Sequence, residues 1–240
     1  RSGKNPQVTV PSFWQKSFKN GLEIIANENT ETPTISLMLS IEGGPLLDPM
    51  DKAGLASLTA SLMEEGTKNY TKEDLSNALA KLGSNISVGA GGRNTYISVT
   101  SLRKNIDATI NLMLDVMFNP AFEQSAFDRI KNQLIQNLTQ DKKDASALAG
   151  KAFKQLMYGK NQRIGLPDSG TIDTVSAISL ADVKAFYKQY FSPYYANLVV
   201  VGDIKKSELL PKLDYLKEWQ GEQYNLPTFS NFPEINTPCF

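Results

Sequence analysis

Two alternating segments joined by a glycine-rich linker constrain the fold of this chain more than any other feature. Residues 84–90 and 95–102 place apolar side chains at every second position, and the linker between them, residues 91–94, reads Gly-Gly-Arg-Asn. The apolar positions are Ile86, Val88, Ile97 and Val99. Alternation with period two is typical of a half-buried strand, and a short glycine-containing linker favours a tight turn. The sequence therefore predicts an antiparallel β-hairpin here.

Three further segments have the composition of strands. Residues 21–27 and 34–42 both carry regularly spaced apolar side chains and are separated by a turn, so they are capable of antiparallel pairing. The run from Asn197 to Val201 is continuously apolar after its first residue, which is typical of a buried strand. The sequence thus predicts about five to six strands in all.

Helical periodicity accounts for most of the remaining chain. Thr71 followed by Asp74 resembles an N-terminal capping box, and Gly66 and Gly83 are placed to end the first two helices. The predicted helices cover residues 54–65, 71–82, 106–118, 125–142, 145–158, 180–190 and 207–219. Together with the strands they predict an α+β fold, in which a mainly antiparallel sheet packs against helices.

The length of 240 residues, with 41% hydrophobic residues, lies near the upper limit for one domain. We expect one α+β domain over residues 1–225, and we expect residues 226–240 to begin a linker to a following domain. The chain begins Arg-Ser-Gly, without an initiator Met or an apolar signal core. We therefore interpret it as a piece of a longer polypeptide.

The charge balance argues against two classes of partner. Lys plus Arg and Asp plus Glu number 25 each, so the chain has no basic excess for nucleic acid or for an anionic membrane surface. No apolar run approaches the roughly 20 residues that a membrane-spanning helix needs. The single cysteine, Cys239, excludes an internal disulfide and a cysteine-based metal site. We therefore expect neither a nucleic-acid partner nor a membrane span.

The chain contains no histidine, which restricts its catalytic chemistry. A Ser-His-Asp or Cys-His arrangement cannot form, and neither can the open three-ligand zinc site typical of hydrolases. Carboxylates could instead form a hard-cation site or an acid/base pair. The candidates are Glu64, Glu65, Asp128, Asp141 and Asp144. We favour the interpretation that these acids lie on solvated helix surfaces, because unpaired acids are rarely buried.

Four segments, in this order and at this separation, resemble one domain of the M16 family of zinc metallopeptidases, which includes pitrilysin, insulin-degrading enzyme and the mitochondrial processing peptidase. They are residues 20–22, 54–67, 127–129 and 196–203. Residues 64–71 are similar in particular to the non-catalytic domain of bacterial tandem members. The resemblance covers nearly the whole chain and implies the M16/LuxS-like metallohydrolase fold.

Active M16 members carry the zinc motif His-x-x-Glu-His on the first helix after Gly-Leu-Ala, and a third zinc ligand, a Glu, on a later long helix. When this chain is aligned through Gly54-Leu55-Ala56, the resemblance places the first His at Ser57 and the second at Ser61. The base falls at Ala60 and the third ligand at Asn137. Hydroxyls and an amide are poor substitutes for imidazole and carboxylate, and Ala60 cannot accept a proton. The resemblance therefore implies no metal and no catalytic residue in this chain.

M16 proteins pair two similar halves, of which one carries zinc, and together they enclose a chamber. By resemblance we expect the partner to be a zinc-bearing half, in the same polypeptide or a separate subunit, with zinc bound only there and with peptide as the substrate of the assembled chamber. The alternative is a structural or assembly protein of the same fold. Bacterial tandem members are often exported, so the resemblance suggests an extracytoplasmic (periplasmic) location.

The glycine-rich end of the first hairpin strand, residues 89–92, allows two interpretations. In active halves, the strand that corresponds to residues 84–91 presents an edge to which an extended peptide adds through backbone hydrogen bonds. In this chain the run Gly89, Ala90, Gly91 and Gly92 would permit close approach of such a peptide. The same run is also typical of a flexible hairpin turn, because glycine is the usual turn residue.

Overall fold

A computed structural model of the chain describes residues 11–234, which contain six strands and eight α-helices. The strands are β1 Trp14–Ser17, β2 Glu23–Glu28, β3 Thr34–Glu42, β4 Asn85–Gly91, β5 Asn94–Leu102 and β6 Ala196–Gly202. The helices are α1 Leu55–Met63, α2 Lys72–Leu82, α3 Ile106–Phe118, α4 Gln124–Asp141, α5 Ala145–Tyr158, α6 Ile172–Ala177, α7 Leu180–Tyr190 and α8 Lys206–Lys212. Cys239 and the rest of residues 235–240 lie outside the described residues.

The strands form one sheet in the order β1-β2-β6-β3-β5-β4, in which only β2 and β6 pair in parallel. The predicted α+β fold with a mainly antiparallel sheet is confirmed. The predicted hairpin is β4–β5. Gly91 pairs with Asn94, so the turn consists of only two residues, Gly92 and Arg93. Gly92 has a φ of 59°, the left-handed value that a two-residue type II′ turn places at its first central position.

The strands β2 and β3 do not pair with each other, which corrects the expectation drawn from their proximity in sequence. β6 lies between them, because Leu198 is in register with Ile24 on one side and with Leu39 on the other. Leu198 and Val200 are fully buried, whereas Val201 on the opposite face is 41% exposed. The most continuously apolar strand thus takes the middle of the sheet, where both of its backbone edges are paired.

One face of the sheet carries the hydrophobic core. Buried strand residues join one cluster with apolar residues of α1, α3 and α7. Among the largest fully buried members are Leu37, Leu39, Leu58, Leu62, Ile97, Ile110 and Met113. The opposite face is half exposed, with Met38, Tyr96 and Val201 open to solvent. The sheet is therefore packed well on one side only within the described residues.

Several local elements differ from their prediction. The strand β1 and the helix α6 are short and were not predicted. One helix was expected over residues 207–219, but the α-helix ends at Lys212 and a separate 3₁₀ helix follows over Asp214–Glu218. The α-helix contains Pro211 in its last turn, and proline lacks the backbone N–H that a continuing α-helix needs. No helix within residues 11–234 has the length and apolarity to cross a membrane.

Residues 220–234 have no regular secondary structure and run along the surface of the domain as a strap. The strap is held by Tyr224, whose ring stacks on Tyr195 at a centroid distance of 4.0 Å and meets Tyr190 edge-on at 5.1 Å. The Tyr224 hydroxyl donates to the backbone oxygen of Glu42 at 2.7 Å. The domain boundary expected at residues 225 and 226 stays a prediction.

The central position of β6 can be tested with one substitution made on each of its two faces. Replacing the buried Val200 with Ala should lower the free energy of unfolding by about 2 kcal/mol, because it removes two methyl groups from a packed core. The same change at the exposed Val201 should cost less than about 0.5 kcal/mol. Urea denaturation followed by circular dichroism measures both, and equal effects would contradict the assigned strand faces.

Candidate functional site

The N-terminus of α1 is held by a buried ion pair. The Asp48 carboxylate accepts hydrogen bonds from the backbone N–H groups of Gly54 and Ala56, both at 2.8 Å. Arg163 donates to the same carboxylate from its Nη2 atom at 2.9 Å, and both side chains are at most 5% exposed. Burial raises the pKa of Asp48 to about 6, and Arg163 together with the two backbone donors opposes that rise. The start of α1 is thereby fixed to the segment that contains Arg163.

That segment, residues 163–170, lies across the beginning of α1. Arg163 donates from Nη1 to the backbone oxygens of Leu166 and Pro167, at 3.3 and 3.1 Å. A Cβ atom at Gly170 would meet the backbone oxygen of Ala53 at 1.9 Å, so only glycine fits there. We call residues 163–170 the covering loop.

Asp168 connects the covering loop to three other elements. Its backbone oxygen accepts from the Ser57 hydroxyl on α1 at 3.2 Å. One carboxylate oxygen accepts from Lys154 Nζ on α5 at 2.7 Å, and the other accepts from the backbone N–H of Gly92 in the hairpin turn, also at 2.7 Å. Sequence reasoning missed Asp168 and Arg163, because both lie in a polar, glycine-containing loop without periodicity.

The four positions that the resemblance assigned to the zinc site lie on α1 and α4, two helices that pack against each other. Ser57 and Ser61 lie half-buried on α1, one turn apart, and Ala60 between them is buried. Asn137 is exposed on α4, where it accepts a hydrogen bond from Gln133 at 3.0 Å. The structure brings the two serines onto one helix, but Asn137 has its own local partner.

These residues do not fit a zinc ion. The Ser57 hydroxyl is bonded to the covering loop, Ala60 offers no donor atom, and Asn137 presents a neutral amide. Within residues 11–234, no group of three His, Cys, Asp or Glu side chains could hold a metal ion. In this structure Ser57 and Asn137 form hydrogen bonds, and Ala60 packs in the core.

Glu64 and Glu65 are not on a solvated surface, which corrects the interpretation drawn from the sequence. The Glu65 side chain is 6% exposed and forms ion pairs with Lys72, at 2.5 Å, and with Arg129. Glu64 accepts from the backbone N–H of Val88 at 2.6 Å, and burial raises its pKa. Both acids follow the last turn of α1 and tie it to its neighbours.

The three aspartates behave closer to expectation. Asp128 is exposed and accepts from Gln124 at 2.9 Å. Asp144 is exposed and caps α5 by accepting from the backbone N–H of Ser146 at 2.7 Å. Asp141 is half-buried, with Lys151 at 4.0 Å. Each has a structural partner on a helix surface.

Strand β4 forms one edge of the sheet. Backbone groups of a paired strand point alternately toward and away from its neighbour. The Val88 N–H bonds to Glu64, so Val88 and, two residues on, Ala90 point away from β5. Gly89 and Gly91 belong to the strand and not to the turn, and Gly92 is bonded to Asp168. The Glu64 and Asp168 carboxylates therefore accept hydrogen bonds from the backbone N–H groups of Val88 and Gly92, which lie on either side of Ala90.

Gly89 has a packing role of its own. A Cβ atom at this position would meet the ring of Tyr96, its cross-strand partner, at 2.4 Å. The tyrosine ring thus lies across the glycine on the half-exposed face of the sheet. By contrast, a Cβ at Gly91 would meet nothing within 4 Å. Of these two glycines, only Gly91 has open space above it on this face of the sheet.

Comparison with known proteins identifies the family. The profile of "Insulinase (Peptidase family M16)" matches residues 23–163, more than half of the chain. The chain belongs to the M16 peptidase family. A second profile, "Peptidase M16 inactive domain", matches residues 177–238. These matches confirm the resemblance to the M16 family drawn from the four sequence segments.

Two curated relatives of this M16 domain carry different descriptions. The "Non-peptidase homolog YmxG" of Helicobacter pylori is 26% identical over 208 residues, which are 86% of this chain and 48% of that protein. The "Cytochrome b-c1 complex subunit 1, mitochondrial" of Bos taurus is 21% identical, over 84% of this chain and 42% of that protein. The M16 domain spans about half the length of these relatives.

Solved structures share the fold. The peptidase M16 inactive domain from Pseudomonas fluorescens superposes with a TM-score of 0.85 and 21% identity, over 92% of this chain and 54% of that chain. A protease from Helicobacter pylori gives a TM-score of 0.83 and 18% identity, over 93% and 55%. The M16 architecture expected from the sequence is confirmed.

The buried ion pair makes a prediction with a defined pH dependence. Replacing Arg163 with Met leaves Asp48 buried without its cation, which should lower the free energy of unfolding by about 3–5 kcal/mol at neutral pH. The folded-state pKa of Asp48, about 6, lies above its ordinary value of 3.8. The folded protein therefore keeps the Asp48 proton to higher pH than the unfolded chain does. As the pH rises from 3.8 to about 6, the contribution of Asp48 to the free energy of unfolding falls. Loss of Arg163 raises the pKa further.

The deficit of the Arg163→Met variant should accordingly be larger at pH 8 than at pH 4, where Asp48 is protonated in most molecules. Urea denaturation of both proteins at the two pH values measures it. The matched control is Arg93→Met, which removes an exposed arginine paired with the exposed Glu42 and should cost less than about 1 kcal/mol. A deficit independent of pH would contradict the role given to Asp48.

Proposed function

We propose that this chain is the non-catalytic half of an M16 zinc metallopeptidase, and that it contributes chamber wall and partner contacts to proteolysis by a separate zinc-bearing half. The proposal is supported by the chemistry of Ser57, Ala60, Ser61 and Asn137, which the sequence resemblance assigns to the family's zinc ligands and base and which carry no imidazole or carboxylate. In this proposal zinc and the catalytic base both belong to the partner half.

The contacts around α1 support a structural role for these positions. Ser57 on α1 donates a hydrogen bond to the backbone oxygen of Asp168 in the covering loop. The buried Asp48–Arg163 pair holds the same two elements together, because Asp48 binds the first turn of α1 and Arg163 belongs to the covering loop. The covering loop is therefore held against the first turns of α1. A surface closed in this way suits a wall better than a reaction centre.

The peptide substrate of the assembled chamber belongs to the same proposal. An extended peptide adds to a sheet edge by exchanging backbone hydrogen bonds with outward-pointing groups. In the run Gly89 to Gly92, Ala90 points outward, while Val88 and Gly92 bond Glu64 and Asp168. We infer that any peptide contact here is short and centres on Ala90, with the open space at Gly91 beside it.

A second function is favoured by the names of two relatives. One relative is called a non-peptidase homolog, and another is a subunit of the cytochrome b-c1 complex. A chain of M16 fold that serves assembly alone would need neither zinc nor a partner half that carries it. The two functions differ in whether the chain changes the peptidase activity of a zinc-bearing M16 protein.

The test combines this chain with the zinc-bearing M16 protein encoded nearest to it, or with the zinc-bearing half of its own polypeptide. Cleavage of a quenched fluorescent peptide without stable structure is measured for each component and for the mixture, with and without chelator. We expect no chelator-sensitive cleavage by this chain alone and at least about a tenfold gain on mixing, because only the assembled chamber holds substrate next to zinc.

Two outcomes would contradict the proposal. Chelator-sensitive cleavage by this chain alone would mean that it has a metal site of its own. Stable association without any change in peptidase activity would favour the assembly function instead. The control partner carries Glu→Gln at the base of its own zinc motif, which should bind this chain and remain inactive.

A further inference from the structure

An open pocket lies where α3 and α7 end, beside the segment that follows α8. Five aromatic residues line it: Phe118, Tyr187, Phe191, Tyr215 and Trp219. Its volume of about 400 Å³ falls within the range of about 300–1,000 Å³ that is typical of small-molecule sites. We call it the aromatic pocket.

The walls of the aromatic pocket are held by contacts within the domain. The Phe118 ring meets Tyr215 at a centroid distance of 5.7 Å and meets Trp219 at 5.9 Å, nearly edge-on to the latter. Trp219 packs on Phe191 at 5.3 Å and donates from Nε1 to the Phe191 backbone oxygen at 3.3 Å. Asn20 holds the same segment by donating to the backbone oxygen of Trp219 at 3.0 Å. The pocket is therefore formed before any ligand binds.

The aromatic rings differ in their exposure. Trp219 is 5% exposed and Phe191 is 9% exposed, whereas Tyr215 is 60% exposed. The face of an aromatic ring carries negative charge density, which attracts the weakly positive C–H groups of a ligand. An exposed tyrosine ring in a preformed pocket therefore favours a ligand that has a flat, apolar face.

Four polar side chains complete the lining of the pocket: Asn119, Lys188, Glu218 and Gln220. The last three are exposed. Asn119 donates from its amide nitrogen to Asp115 at 2.9 Å, which leaves its side-chain oxygen as an acceptor. Lys188 supplies hydrogen-bond donors, Glu218 supplies acceptors, and Gln220 supplies both. The lining carries one positive and one negative charge, which cancel.

This balance of donors and acceptors selects among classes of ligand. A cation meets Lys188 and an anion meets Glu218, so either ion faces a like charge on the pocket. A hydroxyl group both donates and accepts hydrogen bonds, so a neutral ligand rich in hydroxyls uses both kinds of partner. A pyranose sugar combines hydroxyls around its edge with a ring face made of C–H groups.

We propose that the aromatic pocket binds a neutral pyranose sugar, free or at the end of a glycan, with its C–H face on Tyr215 and its hydroxyls bonded to Lys188, Glu218 and Gln220. This binding needs neither zinc nor a partner half, so it goes beyond the proposed function. The aromatic residues supply the contact area, and the polar residues set which hydroxyls are recognised.

The test is saturation-transfer difference NMR on the full-length protein encoded by the gene. The probes are the methyl β-glycosides of glucose, galactose and N-acetylglucosamine, together with cellobiose, lactose and chitobiose. Tetramethylammonium and a proline-rich peptide are titrated in the same way, because aromatic pockets also bind quaternary cations and polyproline segments. We expect at least one sugar to bind with about millimolar affinity. Its axial C–H protons on one ring face should receive the strongest saturation, as stacking on an aromatic ring requires.

Two matched variants locate the binding. Tyr215→Ala removes the exposed ring of the pocket and should weaken sugar binding at least tenfold. Tyr194→Ala removes a tyrosine that is 44% exposed but does not line the pocket, and it should leave binding unchanged. Both side chains are exposed, so circular dichroism should show both variants folded.

The two sources of the sugar give different results, and both support the proposal. Equal affinity for a monosaccharide and its disaccharide assigns the pocket to a single free ring, and at least tenfold tighter binding of the disaccharide assigns it to a glycan. The proposal is overturned if no sugar of the set is saturated, if the two tyrosine variants bind equally well, or if the cation or the peptide binds more tightly than every sugar.

Discussion

The contact between Asp48 and Arg163 is the interaction on which the rest of the site depends. Through two backbone hydrogen bonds Asp48 fixes the first turn of α1, and through Arg163 it fixes the covering loop. From that loop Asp168 reaches Ser57, the hairpin turn and α5. One buried ion pair thus positions both the first turn of α1 and the covering loop that lies against it.

Local sequence pattern predicted most elements of the fold but not their arrangement. The β4–β5 hairpin and the helices α2, α3 and α5 follow from periodicity and capping residues within each segment, such as Thr71 and Asp74. The insertion of β6 between β2 and β3 depends on pairing between residues more than 150 positions apart, as in Ile24 with Leu198. No local pattern carries that information, so proximity along the chain suggested the wrong neighbours.

At the candidate site, too, contacts between residues distant in sequence could not be predicted. Family resemblance supplied the four positions on α1 and α4, and the assignment of each to a lost ligand stays a prediction. Resemblance could not supply Arg163 and Asp168, because both act through contacts to elements that are distant in sequence. The acids Glu64 and Glu65 were misread for a related reason. Their partners, the Val88 backbone and Arg129, lie in segments that meet only in the folded domain.

We propose that this M16 domain offers a structural surface where active members of the family bind zinc. A competition titration with zinc and a chromophoric chelator tests it most directly on the purified chain. We expect no zinc binding at micromolar concentrations of the metal, because hydroxyl and amide groups are weak ligands for this ion. One equivalent of zinc bound on the order of nanomolar affinity, and lost in a Ser57→Ala/Ser61→Ala variant, would contradict the account.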